Sequence, residues 1–139
     1  VSLSVAPLSE QHATELALAV ERARAQWAKG LSAPEAVVAA LERVLLFLRQ
    51  NGAASPQARH VASLAFCFGQ QVVAARGWTW KSVSDDGSVN PSIVSPDGKR
   101  AVLVVDVMTR LVVGTEKASL AGLFRALTSE GAHPLVTPL

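Results

Sequence analysis

One cysteine, Cys67, is all the thiol this chain carries, so no intrachain disulfide can form. That fits a reducing compartment, and a cytoplasmic protein is the expectation. Cys67 lies between Phe66 and Phe68 with no thiolate-stabilising neighbour in sequence, and reads as a small buried hydrophobe rather than a nucleophile. Long apolar runs are missing too. The longest (Ala36–Leu41, Val44–Leu48, Leu64–Phe68 and Ala101–Val105) are core-sized and fall short of the ~18 residues that mark a membrane-spanning helix. The segment from Val1 to Pro7 has neither the charged start nor the apolar block of a signal peptide. It also lacks an initiating Met, so prior removal of a signal stays open.

Charge of either sign is scarce. Thirteen Lys and Arg stand against eleven Asp and Glu, and the resulting +2 is too small to point to nucleic acid. Between Arg43 and Ser84 every charged residue is basic (Arg43, Arg49, Arg59, Arg76, Lys81), which reads as scattered solvated charge rather than a concentrated patch. Recognisable chemistry is equally thin. His12, His60 and His133 fall in separate segments, without metal-ligand spacing to one another, to Cys67 or to a carboxylate. Asp86-Gly87-Ser88 and Asp97-Gly98-Lys99 each hold one glycine and read as hairpin turns, not phosphate loops. These absences leave no catalytic residue, metal or cofactor to nominate. An enzyme assembled from distant residues such as His60, Asp106 and Arg110 is the least favoured reading.

What is present is apolar surface and alternating periodicity. Half of the 139 residues are hydrophobic and 17% are charged, with a mean hydropathy of +0.30. A chain of this length suits one domain with its own core, and so few charges leave apolar area for a partner. Ser9 is placed to cap a first helix, along which Leu16, Val20, Ala23 and Trp27 recur at helical spacing until Gly30. Ser32-Ala33-Pro34-Glu35 reads as a capping box ahead of a second helix with Val37, Val38, Leu41, Val44, Leu45 and Leu48 on one face, ending at Asn51-Gly52. Ser55-Pro56 opens a third. This one is apolar on most sides and so predicts a buried central post, and its interior Gly69 predicts a close approach by another element.

After Gly77 the period falls from 3.6 to 2. Trp78–Val83 and Val89–Val94 read as strands joined by an Asp85-Asp86-Gly87 turn, with Pro91 marking an edge or a bulge. Ser95-Pro96-Asp97-Gly98 is a second turn. Arg100–Val107 is the most β-branched segment and predicts a third strand, which Thr109–Val113 continues or follows as a fourth. A short helix over Ser119–Leu127 and an irregular tail from Gly131 close the chain. The expected fold is therefore α+β within a single domain over 1–139: mainly helical over 9–76, an antiparallel sheet of three to four strands over 78–113, and a closing helix over 119–127.

Trp78 and Trp80 share a strand face. Exposed, they would form a stacking platform for a base or a small molecule, with Lys81 nearby. Buried, they would anchor the sheet on the third helix, which so few aromatics favours. Asp106 interrupts the apolar run Val102–Val107; either its face meets water, or it and Arg110 mark a partly buried polar site. The segment Ala40-Leu41-Glu42-Arg43-Val44-Leu45, then Leu64-Ala65-Phe66-Cys67-Phe68-Gly69 running into Gly77-Trp78-Thr79-Trp80, an Asp86-Gly87 turn, and Met108-Thr109-Arg110-Leu111-Val112-Val113-Gly114 with a closing helix holding Leu120 and Phe124 form a longer pattern. From about Val38 to Leu127 that pattern resembles an uncharacterised bacterial family, domain of unknown function 3806. The chain departs from it at Val104-Val105-Asp106, where the family carries a proline. The resemblance implies a fold and a bacterial origin, and no activity.

The functional expectation is a non-enzymatic bacterial protein-interaction module such as an immunity protein or small inhibitor, its partner another protein. Trp80, Asp106 and Arg110 are nearest the functional surface. The alternative is a small-molecule or nucleic-acid binder using Trp78 and Trp80. Self-association is a further reading, against which Pro91 argues mildly for sheet-to-sheet pairing; the oligomeric state stays open.

Overall fold

A computed structural model describes residues 3–50, 58–85, 88–129 and 133–139. The helices are α1 (Glu10–Trp27), α2 (Pro34–Gln50), α3 (Ala58–Arg76), α4 (Val104–Val113) and α5 (Leu120–Leu127). The strands are β1 (Ser4–Pro7), β2 (Thr79–Asp85), β3 (Ser88–Val94), β4 (Arg100–Val102) and β5 (Thr137–Pro138), ordered β1-β2-β3-β4-β5 in one antiparallel sheet. The class is α+β as the sequence predicts, but the sheet has five strands where three to four were expected, and a fourth substantial helix stands where strand was expected.

That helix is the main correction. The β-branched composition of Arg100–Val107 predicts a strand, yet pairing ends at Val102 and Val104–Val113 is α4. The buried residues of α4 are Val104, Val107, Met108, Leu111 and Val112, an i, i+3, i+4, i+7, i+8 stripe. β-branched residues cost a helix only a few tenths of a kcal/mol each. Burying one such side chain returns about 1.5–3 kcal/mol, so the stripe decides the conformation. Asp106 in the first turn and Arg110 in the last also complement the helix dipole. Gly114, left-handed at φ 93°, ends the helix and bonds back to the Arg110 carbonyl at 3.0 Å.

The two extra strands come from the ends of the chain. Ser4–Pro7 pairs with β2 in the register Val5↔Val83, and Thr137–Pro138 with β4 as Thr137↔Ala101. The tail expected to be irregular therefore closes one edge of the sheet. Proline sits in both edge strands, at Pro7 and Pro138, where a missing N–H is tolerated. Pro91 lies in an interior strand instead, but β4 pairs with β3 only at Ile93 and Val94, so Pro91 has a strand neighbour on one side alone among the described residues.

Helix starts follow the cap chemistry with one exception. Ser9 and Ser119 accept from the His12 and Gly122 N–H groups at 3.1 and 2.9 Å. α2 begins at Pro34, and the Val37 N–H bonds the Ala33 carbonyl. Ser32 is thus one residue outside the cap and the expected capping box does not form. The expected signals at Asn51-Gly52, Ser55-Pro56, Asp86-Gly87 and Gly131 lie outside the described residues, although Asp85 pairs with Ser88 across the hairpin.

α3 is the post around which the rest packs, against α1, α2, α4 and β3. Leu64, Phe68 and Val72 are essentially inaccessible, joined from neighbouring elements by Leu41, Leu45, Ile93, Met108, Leu111 and Leu123. The sheet turns Trp80, Ile93 and Val102, which stand in register, toward this core. Val83, Val94 and Ala101, of opposite parity, form a small second cluster with Leu3 and Leu103. At Gly69 the approach is tight: a Cβ there would lie 2.6 Å from Trp80 Cη2 and 3.3 Å from Val104 Cγ1. The indole is pinned by Nε1–H donating to Gln70 Oε1 at 3.0 Å and by an edge contact with Phe66 at 6.1 Å.

Two outcomes follow from these contacts. Gly69→Ala gains about 1 kcal/mol in helix propensity but overpacks a pinned indole at roughly 1–3 kcal/mol. A lower urea midpoint is expected, with a smaller loss in a Trp80→Phe background; a neutral or stabilising Gly69→Ala would remove the close-contact account. In the Ser95–Gly98 turn, the Ser95 hydroxyl and then the Lys99 N–H bond Asp97 Oδ1 at 2.6 and 2.9 Å and hold its carboxyl below the usual aspartate range. Because the folded-state value is depressed, this contribution is complete above the unfolded value of about 3.9 and is lost as pH falls through the folded one. Carboxyl-detected NMR should show Asp97 titrating below an ordinary aspartate, and Ser95→Ala should bring it back up; an unchanged titration in Ser95→Ala would contradict the assignment.

Candidate interaction surface

The sequence singles out Trp80, Asp106 and Arg110, and the fold separates them. Both tryptophans turn inward. Trp78 is 3% exposed with the Arg100 guanidinium 5.4 Å from its ring centroid, and Trp80 is half-buried against α3. They are the anchor of the sheet rather than a platform in water.

Asp106 and Arg110 face the other way. Reading the segment as a strand put Asp106 on the face of Val102, Val104 and Met108. As a helix it stands one turn from Arg110, and the two form an ion pair at 2.7 Å with both side chains about half exposed, 51% and 49%. Such an i, i+4 pair is worth about 0.3–0.5 kcal/mol, so it shapes the surface more than it stabilises the fold. Helical spacing extends the same stripe through Thr109 to Val113, which is 59% exposed at the end of α4. His60 has no contact with this pair; its ring meets Trp27 edge-on at 6.1 Å.

The end of α4 meets the end of α2. Nε and Nη2 of Arg49 both donate to the Leu111 carbonyl, at 2.9 and 2.8 Å. That carbonyl is one of the last in α4, where no intrahelical donor exists, and the guanidinium also faces the negative end of the helix dipole. Within one turn of Arg49 stand Leu46 and Phe47, 41% and 63% exposed. Leu46 and Phe47 on α2 and Val113 on α4 are exposed on the two helices that this hydrogen bond joins, as are Arg43 and Arg110. A neighbouring tie holds α5 in place: the Ala121 N–H donates to Glu42 Oε1 of α2 at 3.2 Å, putting a carboxylate at the helix N-terminus.

Sequence reasoning missed Leu46 and Phe47 because they lie inside the apolar run Val44–Leu48. The signal was there. The inward stripe Val37, Val38, Leu41, Leu45 excludes positions 46 and 47 at 3.6 residues per turn. Val113 was missed with the whole of α4.

Elsewhere the chemistry is quiet. Among the described residues no three His, Cys, Asp or Glu side chains group to hold a metal, and no helix is long and apolar enough to cross a membrane. Cys67 is buried, and burial pushes its thiol up to about 11, with Arg24 and a hydrogen bond with Gln71 opposing the rise. No protein-family model, curated protein or solved structure matches the chain.

Cys67 is therefore expected to resist iodoacetamide at mildly alkaline pH in the folded protein and to alkylate readily in denaturant, followed by intact-mass spectrometry. Rapid alkylation of the folded protein would contradict the buried, neutral thiol.

Proposed function

We propose that this chain is a non-enzymatic protein-interaction module of the bacterial cytoplasm, an immunity protein or small inhibitor, which meets its protein partner through the joined ends of α2 and α4. The observation that carries the reading is the exposure of Leu46 and Phe47 on α2 and of Val113 on α4, the two helices that the Arg49–Leu111 hydrogen bonds join. Burying each of these side chains under a partner would return about 1.5–3 kcal/mol relative to leaving it in water. An aromatic anchor with arginine at its rim is the composition of an interface centre. Asp106 and Arg110, already expected near the functional surface, supply a charged margin on α4 that selects orientation more than it adds affinity.

The resemblance of the segment Val38–Leu127 to the bacterial family of unknown function accords with this reading without adding an activity. The alternative of a base or small molecule stacking on Trp78 and Trp80 draws no support from a buried Trp78 and a Trp80 that packs on α3.

Affinity capture from host lysate with the wild type, Phe47→Asp and Arg110→Glu tests the proposal. One protein is expected to be retained stoichiometrically by the wild type. Phe47→Asp should bind it about 30-fold more weakly, equivalent to about 2 kcal/mol, and Arg110→Glu should slow its association at unchanged Tm. Equal retention by Phe47→Asp would move the interface elsewhere, and a wild type that retains no protein would overturn the module reading.

A further inference from the structure

Between α1 and α3 lies an open groove of about 560 Å³ lined by Arg22, Ala25 and Gln26 of α1 and by His60 and Ser63 of α3. The volume falls in the range that small-molecule sites occupy, roughly 300–1,000 Å³. Its origin is local. Ala25 and Ser63 are short where the two helices face each other across the groove, while Ala23 and Ala28 of the α1 segment are buried in the core.

The lining has a consistent character. Arg22, Gln26, His60 and Ser63 each carry a hydrogen-bond donor, and no carboxylate is among the described lining residues. None of these four side chains hydrogen-bonds another described protein group; the Trp27 ring meets His60 edge-on. Three other arginines are committed within the fold: Arg24 to the Leu31 carbonyl at 2.7 Å, Arg49 to Leu111 and Arg110 to Asp106. Ser63 is 8% exposed, the buried member of the lining. An exposed guanidinium lining the same groove as a hydroxyl, an amide and an imidazole is a donor set complementary to an oxyanion.

We propose that the groove between α1 and α3 binds a small organic molecule carrying an oxyanion, phosphate or carboxylate, with Arg22 as its charge partner and Ser63 and His60 as hydrogen-bonding partners. This site involves none of the residues of the α2–α4 surface, and its test is independent of that reading.

The test is an NMR titration of the full chain with inorganic phosphate, adenosine monophosphate and citrate, each to millimolar concentration, followed at the His60 ring protons and the Trp27 indole N–H. Saturable shifts at both reporters are expected with at least one probe, weakened at least tenfold by Arg22→Glu. Saturation by phosphate and the nucleotide alone assigns a phosphate ligand, and saturation by citrate alone a carboxylate. Arg22 is exposed on α1, so Arg22→Glu should fold with unchanged Tm; Arg22→Lys, which keeps the charge and loses the fork, should bind with intermediate strength. Shifts that stay linear with all three probes, or that saturate equally in Arg22→Glu, overturn the proposal.

Discussion

The sheet rests on α3 through one close contact, the Trp80 indole lying over the bare backbone of Gly69. The distance between the two layers is set there, because a side chain at 69 would occupy the space of the indole. With Trp80 in place, its register partner Ile93 and the next partner Val102 reach the same core, and Val104 arrives beside Gly69 as the first residue of α4. The chain can leave β4 and enter a helix within two residues because that approach is already defined. Packing in such a core is as dense as in an organic crystal, so a fraction of an ångström at this point is felt throughout.

The helices are tied to one another at their ends as well as along their faces. Arg49 satisfies a terminal carbonyl of α4, Glu42 satisfies a terminal N–H of α5, and both belong to α2. These contacts use charged groups where unpaired backbone groups would otherwise remain, which is where a charge-assisted hydrogen bond returns most. A consequence is that the ends of α2 and α4 are held as a fixed pair. An apolar patch on that pair is preorganised for a partner, and less ordering entropy is lost on binding.

Much of the architecture was legible in the residues. The cap at Ser9, the inward face of α2, the central place of α3, the role of Gly69 and the Ser95–Gly98 turn all follow from local chemistry and period. The failure over Val104–Val113 is instructive because two periods coexist there. β-branched composition and short-range alternation favour a strand, while the positions of Val104, Val107, Met108, Leu111 and Val112 favour a helix. Nothing local ranks them. The candidate surface inherited that error: Asp106 looked like an anomaly in a strand and is an ordinary first-turn acid in a helix, and Val113 became visible only once α4 was known.

By itself the sequence determined the α+β class, the helical first half, the β-hairpin with its inward tryptophan face, and the lone cysteine's role as a small hydrophobe. Each of these depends on periodicity or on residue chemistry within a few positions along the chain. Tertiary structure decided the rest: that Val104–Val113 is helix, that the ends of the chain complete the sheet, that Arg49 spans 62 residues to reach Leu111, and that Arg22, Gln26, His60 and Ser63 face one groove. The physical reason is common to all four. Burial and end-capping act between residues distant in sequence, and their free energies exceed the local preferences they override.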